Sequence, residues 1–103
     1  HYPQDLEWAV GELEGVRRGN VVAFSVMRDG IEHLVMAAEG NRSDAGRLKK
    51  EIAQRIAETF GIQPAHVAIS PLGTLPKTSS GKAQRAKTKR LYEEGDLDEH
   101  DET

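Results

Sequence analysis

The apolar positions fall first at helical spacing, then in two unbroken runs, then at helical spacing again. Leu6, Val10 and Leu13, with Ala9 beside them, form a stripe that predicts a helix over 3–16. Pro3 suits its first position, where a missing N–H costs nothing, and Gly19-Asn20 closes it. Gly11 and Gly15 weaken it by about 1 kcal/mol each relative to Ala. Trp8 falls off the stripe and is expected to be partly exposed against another domain. Residues 21–27 and 31–38 are β-branched and apolar, and Arg28-Asp29-Gly30 between them carries the Asp-Gly signal of a hairpin. Runs so continuously apolar predict cover on both sheet faces, at least in part. His33, early in the second run, reads as an exposed strand histidine.

Leu48, Ile52, Ile56 and Phe60 then recur every four residues, with Lys49, Lys50, Glu51, Arg55 and Glu58 mostly off that face. This predicts an amphipathic helix, capped by Ser43 or Asp44 and ended by Gly61. After a turn over 62–65, His66 to Ser70 reads as a short third strand, with Val67 and Ile69 on one face, stopped by Pro71. A polar loop follows, then a surface helix over 83–93 whose few large apolar groups are Leu91 and Tyr92. The order α-β-β-α-β-loop-α predicts an α+β domain: a β-hairpin plus a third strand, flanked by helices.

Composition narrows this to one small domain of 103 residues with no apolar run long enough to span a membrane. The start, His1-Tyr2-Pro3-Gln4-Asp5, has no apolar signal segment, and it lacks an initiator Met, as an excised fragment would. Zero cysteines exclude disulfides and thiolate chemistry and are compatible with a reducing cytoplasm. The net charge of −3 conceals an asymmetry: no Asp or Glu lies between Glu58 and Glu93, a gap holding Lys77, Lys82, Arg85, Lys87, Lys89 and Arg90. Seven acidic residues follow, Glu93, Glu94, Asp96, Asp98, Glu99, Asp101 and Glu102. Such a division is a partner signal more than a fold signal. Residues 98–103 carry nothing apolar to bury and are expected to be an unordered acidic tail.

The loop Gly73-Thr74-Leu75-Pro76-Lys77-Thr78-Ser79-Ser80-Gly81-Lys82 concentrates the candidate chemistry. Three hydroxyls (Thr78, Ser79, Ser80), two ammonium groups (Lys77, Lys82) and the backbone freedom of Gly81 suit an anion, a phosphate or a carboxylate. A Walker A loop is excluded: Pro76 stands where its first glycine belongs, and Ala83 replaces the magnesium-binding Ser or Thr. No second histidine or carboxylate lies at metal-ligand spacing near His33.

Leu75 to Lys82 resembles the last core motif of the adenylate-forming (ANL) enzymes, roughly P-K-T-x-S-G-K, which lies in their small C-terminal domain. Gln84-Arg85, Thr88, Arg90, Leu91, Tyr92, Gly95 and Leu97 look most like the fatty acyl-AMP ligase branch. So does Tyr2-Pro3-Gln4-Asp5-Leu6-Glu7, which resembles the stretch just after the hinge between large and small domains. The resemblance runs over 1–97, nearly the whole chain. It implies a small sheet flanked by helices, acting as a mobile lid. It implies that Lys82 is the catalytic lysine, contacting acyl carboxylate and phosphate, and that Lys77, Thr78, Ser79, Ser80 and Gly81 form the adenylate loop. Lys77 is the less certain of these, since its charge can simply face solvent.

The resemblance further implies ATP and Mg2+ bound mainly by a large N-terminal domain that is not in this sequence, so the chain alone is expected not to turn over. Its expected partners are that adenylation domain, a fatty acid, and an acyl carrier protein or polyketide synthase, in the cytoplasm. An acyl-CoA synthetase lid is the alternative. A basic nucleic-acid module over 77–90 is a distant one. It lacks a stacking platform, having only Tyr92 at its edge, and the acidic tail would repel a polyanion.

Overall fold

The computed structural model describes residues 2–17 and 19–100. Helix α1 runs Pro3–Gly11, strands β1 and β2 run Val21–Arg28 and Ile31–Glu39, and a 3-10 turn over Arg42–Asp44 leads into α2, Ala45–Phe60. Strand β3, His66–Ser70, and helix α3, Arg85–Glu94, complete the order. The sheet order is β1-β2-β3: β1 and β2 are antiparallel, and β2 and β3 parallel, joined by the α2 crossover that parallel neighbours need. The expected α+β arrangement and element order are those observed.

The apolar periodicity explains the main layer. Leu48, Ile52 and Ile56 of α2 are fully buried, and with Leu6 and Val10 of α1 they pack on Val21, Ala23, Met36, Ala38 and Ile69 of the sheet. The opposite sheet face, Val22, Phe24, Val26, Val35, Ala37 and Ala68, is covered by Ala83, Tyr92 and Leu97. Both faces are therefore covered over most of their length, as the apolar strands require, while Met27 and Ile31 at the hairpin end stay exposed. Tyr92 meets Phe24 edge-on, ring centroids 5.5 Å apart, and His66 at 5.6 Å. Trp8 is 61% exposed.

Several boundaries and one cap differ from expectation; strands β1 and β2 each run one residue further, to Arg28 and Glu39. Helix α1 ends at Gly11 rather than at 16; its two glycines weaken continuation, and Leu13 and Val16 close separate turns onto Val10 and Leu13. Helix α3 starts two residues late, because Ala83 pairs with Lys77 and donates to the Gly19 carbonyl at 2.7 Å, while Gln84 is extended. Asp44 precedes α2 without a side-chain cap bond; its carboxylate lies 3.7 Å from Arg47 instead.

The end of the chain is tied to β3. His100 N donates to the Ile69 carbonyl at 2.9 Å, Ser70 Oγ donates to the Asp98 carbonyl at 2.6 Å, and Glu99 meets His66 Nε2 at 2.7 Å. Asp98–His100 thus lie along the sheet edge rather than free of it. Residues 101–103 of the expected tail fall outside the described residues.

Candidate functional site: the Lys82 hairpin

The polar loop folds back on itself. Thr78 N donates to the Lys82 carbonyl at 2.8 Å and Gly81 N to the Thr78 carbonyl at 2.9 Å, so Thr78 to Lys82 closes as a tight hairpin tip. The Thr78 hydroxyl lies 3.0 Å from Ser80 Oγ and accepts from Lys82 N at 3.2 Å. Gly81 has φ +89°, a conformation side chains with a Cβ resist, although a Cβ there would meet nothing within 4 Å. Substitution at 81 would therefore strain the backbone without creating a clash. The amides of Thr78, Gly81 and Lys82 that might have cradled an anion close the hairpin instead.

Lys82 is the exposed cation of that tip, and no hydrogen bond or ion pair among the described residues engages its ammonium. It faces a cleft of about 440 Å³ lined by Glu7, Trp8, Gly19, Ser80, Gly81 and Lys82. A larger cleft of about 550 Å³, beside Pro3, Leu6, Phe24 and Leu34, contains no loop residue and only Glu32 as a titratable group. It offers no comparable chemistry.

Lys77 is placed quite differently. Its ammonium lies on the Glu39 carboxylate, with a further 3.3 Å approach to the Leu75 carbonyl, and its side chain is only 24% exposed. It does not simply face solvent. Glu39 is 3% exposed and also accepts from Leu75 N at 2.9 Å. Burial pushes its carboxyl up, but Lys77 and the amides of Leu75 and Gly73 outweigh that and hold it below the ordinary 4.5. Sequence reasoning missed Glu39. The signal was a carboxylate closing an apolar strand expected to be covered on both faces.

Two further anchors were also missed. Gln84 donates from its side chain to the Lys77 carbonyl at 2.9 Å and from its backbone to the Pro76 carbonyl at 2.8 Å, tying the hairpin stem to the start of α3. Glu7 receives Arg85 Nε at 2.9 Å and its terminal nitrogen at 2.7 Å, and the Ala23 amide at 2.9 Å. That fork joins α3 to α1, protects an amide of the edge strand, and raises the Arg85 pKa through the hydrogen bond. Among the described residues no group of three or more His, Asp or Glu side chains is placed to hold a metal ion. No helix of the described residues is long and apolar enough to cross a membrane.

No family model matches the chain. Among solved structures, one of "McyG A-PCP complexed with phenylalanyl-adenylate" superposes with a TM-score of 0.86 at 29% identity, over 92% of this chain and 18% of that one. Fold and loop together make this chain a member of the adenylate-forming (ANL) enzymes, corresponding to one domain of them. Within that class it is similar to fatty-acid ligases. The "Probable long-chain-fatty-acid--AMP ligase FadD30" of Mycobacterium tuberculosis is 38% identical over 101 residues, which is 89% of this chain and 17% of that protein. The "Medium-chain-fatty-acid--[acyl-carrier-protein] ligase JamA" of Moorena producens is 32% identical over 105 residues, 96% of this chain and 18% of that protein. The chain thus spans less than a fifth of these relatives.

Proposed function

We propose that residues 1–97 are the mobile C-terminal domain of an ATP-dependent fatty acyl-AMP ligase, and that Lys82 is its adenylation lysine. In this reaction a fatty-acid carboxylate oxygen attacks the α-phosphorus of ATP. The bond to the β-phosphate bridging oxygen breaks, pyrophosphate leaves, and acyl-adenylate remains. Two anions must approach, and charge accumulates on the phosphoryl oxygens. An ammonium presented to both lowers that barrier, and such electrostatic stabilisation is often the largest catalytic contribution. Lysine suits the task as a compact charge on a flexible stem.

The observation that carries the reading is the placement of Lys82. It is an exposed cation, its ammonium unengaged among the described residues, on a hairpin closed by the amides of Thr78, Gly81 and Lys82. Such a group acts on something brought to it. Thr78, Ser80 and Gly81 shape the tip, and Ser79 lies at its turn. ATP and Mg2+ are held mainly by the rest of the ligase, and the domain closes over them as a lid. The acceptor is a carrier protein, a reading supported by the relative whose name specifies one and by the basic run ahead of the acidic end. The ligase would work in the cytoplasm.

The test uses the complete reading frame with ATP and a long-chain fatty acid, products being followed by mass with CoA or a carrier protein added. Acyl-AMP that persists beside CoA and is consumed by the carrier is the expected result. Conversion to acyl-CoA would move the protein to the synthetase branch, and absence of any adenylate would overturn the reading. The 103-residue chain alone should give no turnover.

A further inference from the structure

Glu39 is the one buried charged side chain among the described residues, and a buried carboxylate is costly unless well paired. It sits at the last position of β2, the central strand, with its Oε2 bound to both Leu75 N and Lys77 Nζ. Lys77 in turn begins the hairpin stem. It pairs with Ala83, the residue after Lys82, and its carbonyl is held by Gln84. One strand of the stem is therefore fastened to the sheet by Glu39, and the other to α3 through Gln84, whose carbonyl accepts the Thr88 hydroxyl at 2.7 Å. Lys82 leaves the stem between these two fastenings.

We propose that Glu39 and Lys77 are a positioning pair that sets where the stem stands on the sheet, and hence where Lys82 is delivered. On this account Lys77 is not an anion ligand; its charge serves Glu39. The proposal rests on Lys82 being the adenylation lysine. Misplacing a reacting group by about 1 Å can cost about 100-fold in rate, so a loosened stem should act on turnover more than on substrate binding.

The experiment is steady-state adenylation by the complete ligase carrying Glu39→Gln, the double change Glu39→Gln/Lys77→Met, Lys77→Arg, or Lys82→Ala. Glu39→Gln keeps an acceptor for Leu75 N and removes the charge. The double change leaves no buried charge unpaired, so it carries the test should Glu39→Gln alone not fold. Expected are kcat losses of about 10- to 100-fold for Glu39→Gln and for the double change, not multiplying. KM for ATP and fatty acid should stay within about twofold, and Lys77→Arg should stay near wild type, as expected where turnover alone suffers.

A folded double variant with wild-type kcat would overturn the pair, as would a loss confined to KM for ATP, the mark of a Lys77 that binds substrate. Lys82→Ala separates the two claims. If it is inactive while the Glu39 and Lys77 variants run normally, only the positioning role falls. If it runs normally, the catalytic reading itself falls.

Discussion

On the α2 side of the sheet, Met36, Leu48, Ile52, Ile56 and Ile69 are wholly buried and pack together. At the Lys82 hairpin the largest group buried is Leu75, and position is set by a few polar bonds to Glu39, Gln84 and Gly19. The first region is held by area, which is forgiving of direction. The second is held by direction, which is what presenting one ammonium to a reaction demands. Many small contacts share the load in the core, whereas the hairpin stem rests on a handful of directional bonds.

The contrast can be broken most severely from the core side. Leu48→Ala should cost about 2–5 kcal/mol in denaturant unfolding of the domain. A loss under about 1 kcal/mol would mean that area burial is not what holds this face. Gly40, next to Glu39, sharpens the picture. A Cβ there would sit 2.6 Å from Leu48 Cδ1 and 3.2 Å from Ile69 Cγ2, so Gly40→Ala should cost about 1–3 kcal/mol by overpacking. In the Gly40→Ala/Leu48→Ala double variant the new methyl enters the vacated space. Its combined cost should fall below the sum of the single costs; strict additivity would place the clash elsewhere.

The core was legible because periodicity is a property of spacing. Leu48, Ile52, Ile56 and Phe60 announce α2, and the two apolar runs with Asp-Gly between them announce the hairpin of β1 and β2. Lys82 was legible only through resemblance, since an exposed lysine has no local signature. Glu39, Glu7 and Gln84 were not legible. Their partners Lys77, Arg85 and the 76–77 backbone lie far away in sequence or depend on the loop's closure, and no periodicity encodes one directional bond. The early end of α1 and late start of α3 share this cause: the backbone there serves tertiary bonds that propensity cannot foresee.

Smaller effects probe the hairpin's anchors. Glu39 has a depressed carboxyl pKa, so its contribution to stability is present above the unfolded value near 4.5 and is lost as pH falls through the folded value below it. Wild-type stability should therefore drop more steeply below 4.5 than that of Glu39→Gln, in urea titrations across that range. Parallel pH curves would remove the carboxylate from the account. Arg85→Ala breaks the fork to Glu7, whose guanidinium side is 42% exposed, and should cost no more than about 1 kcal/mol by thermal unfolding. A larger loss would make this junction between α3 and α1 part of the core rather than a surface tie.

The most direct measurement of the central claim is single-turnover formation of acyl-adenylate by the complete ligase with Lys82→Ala, alongside thermal unfolding of the variant domain. The account predicts a rate lower by about 100- to 1,000-fold, the scale of removing one electrostatic stabiliser, with the melting temperature unchanged because the Lys82 ammonium has no partner among the described residues. A rate near wild type in a folded Lys82→Ala ligase would contradict it.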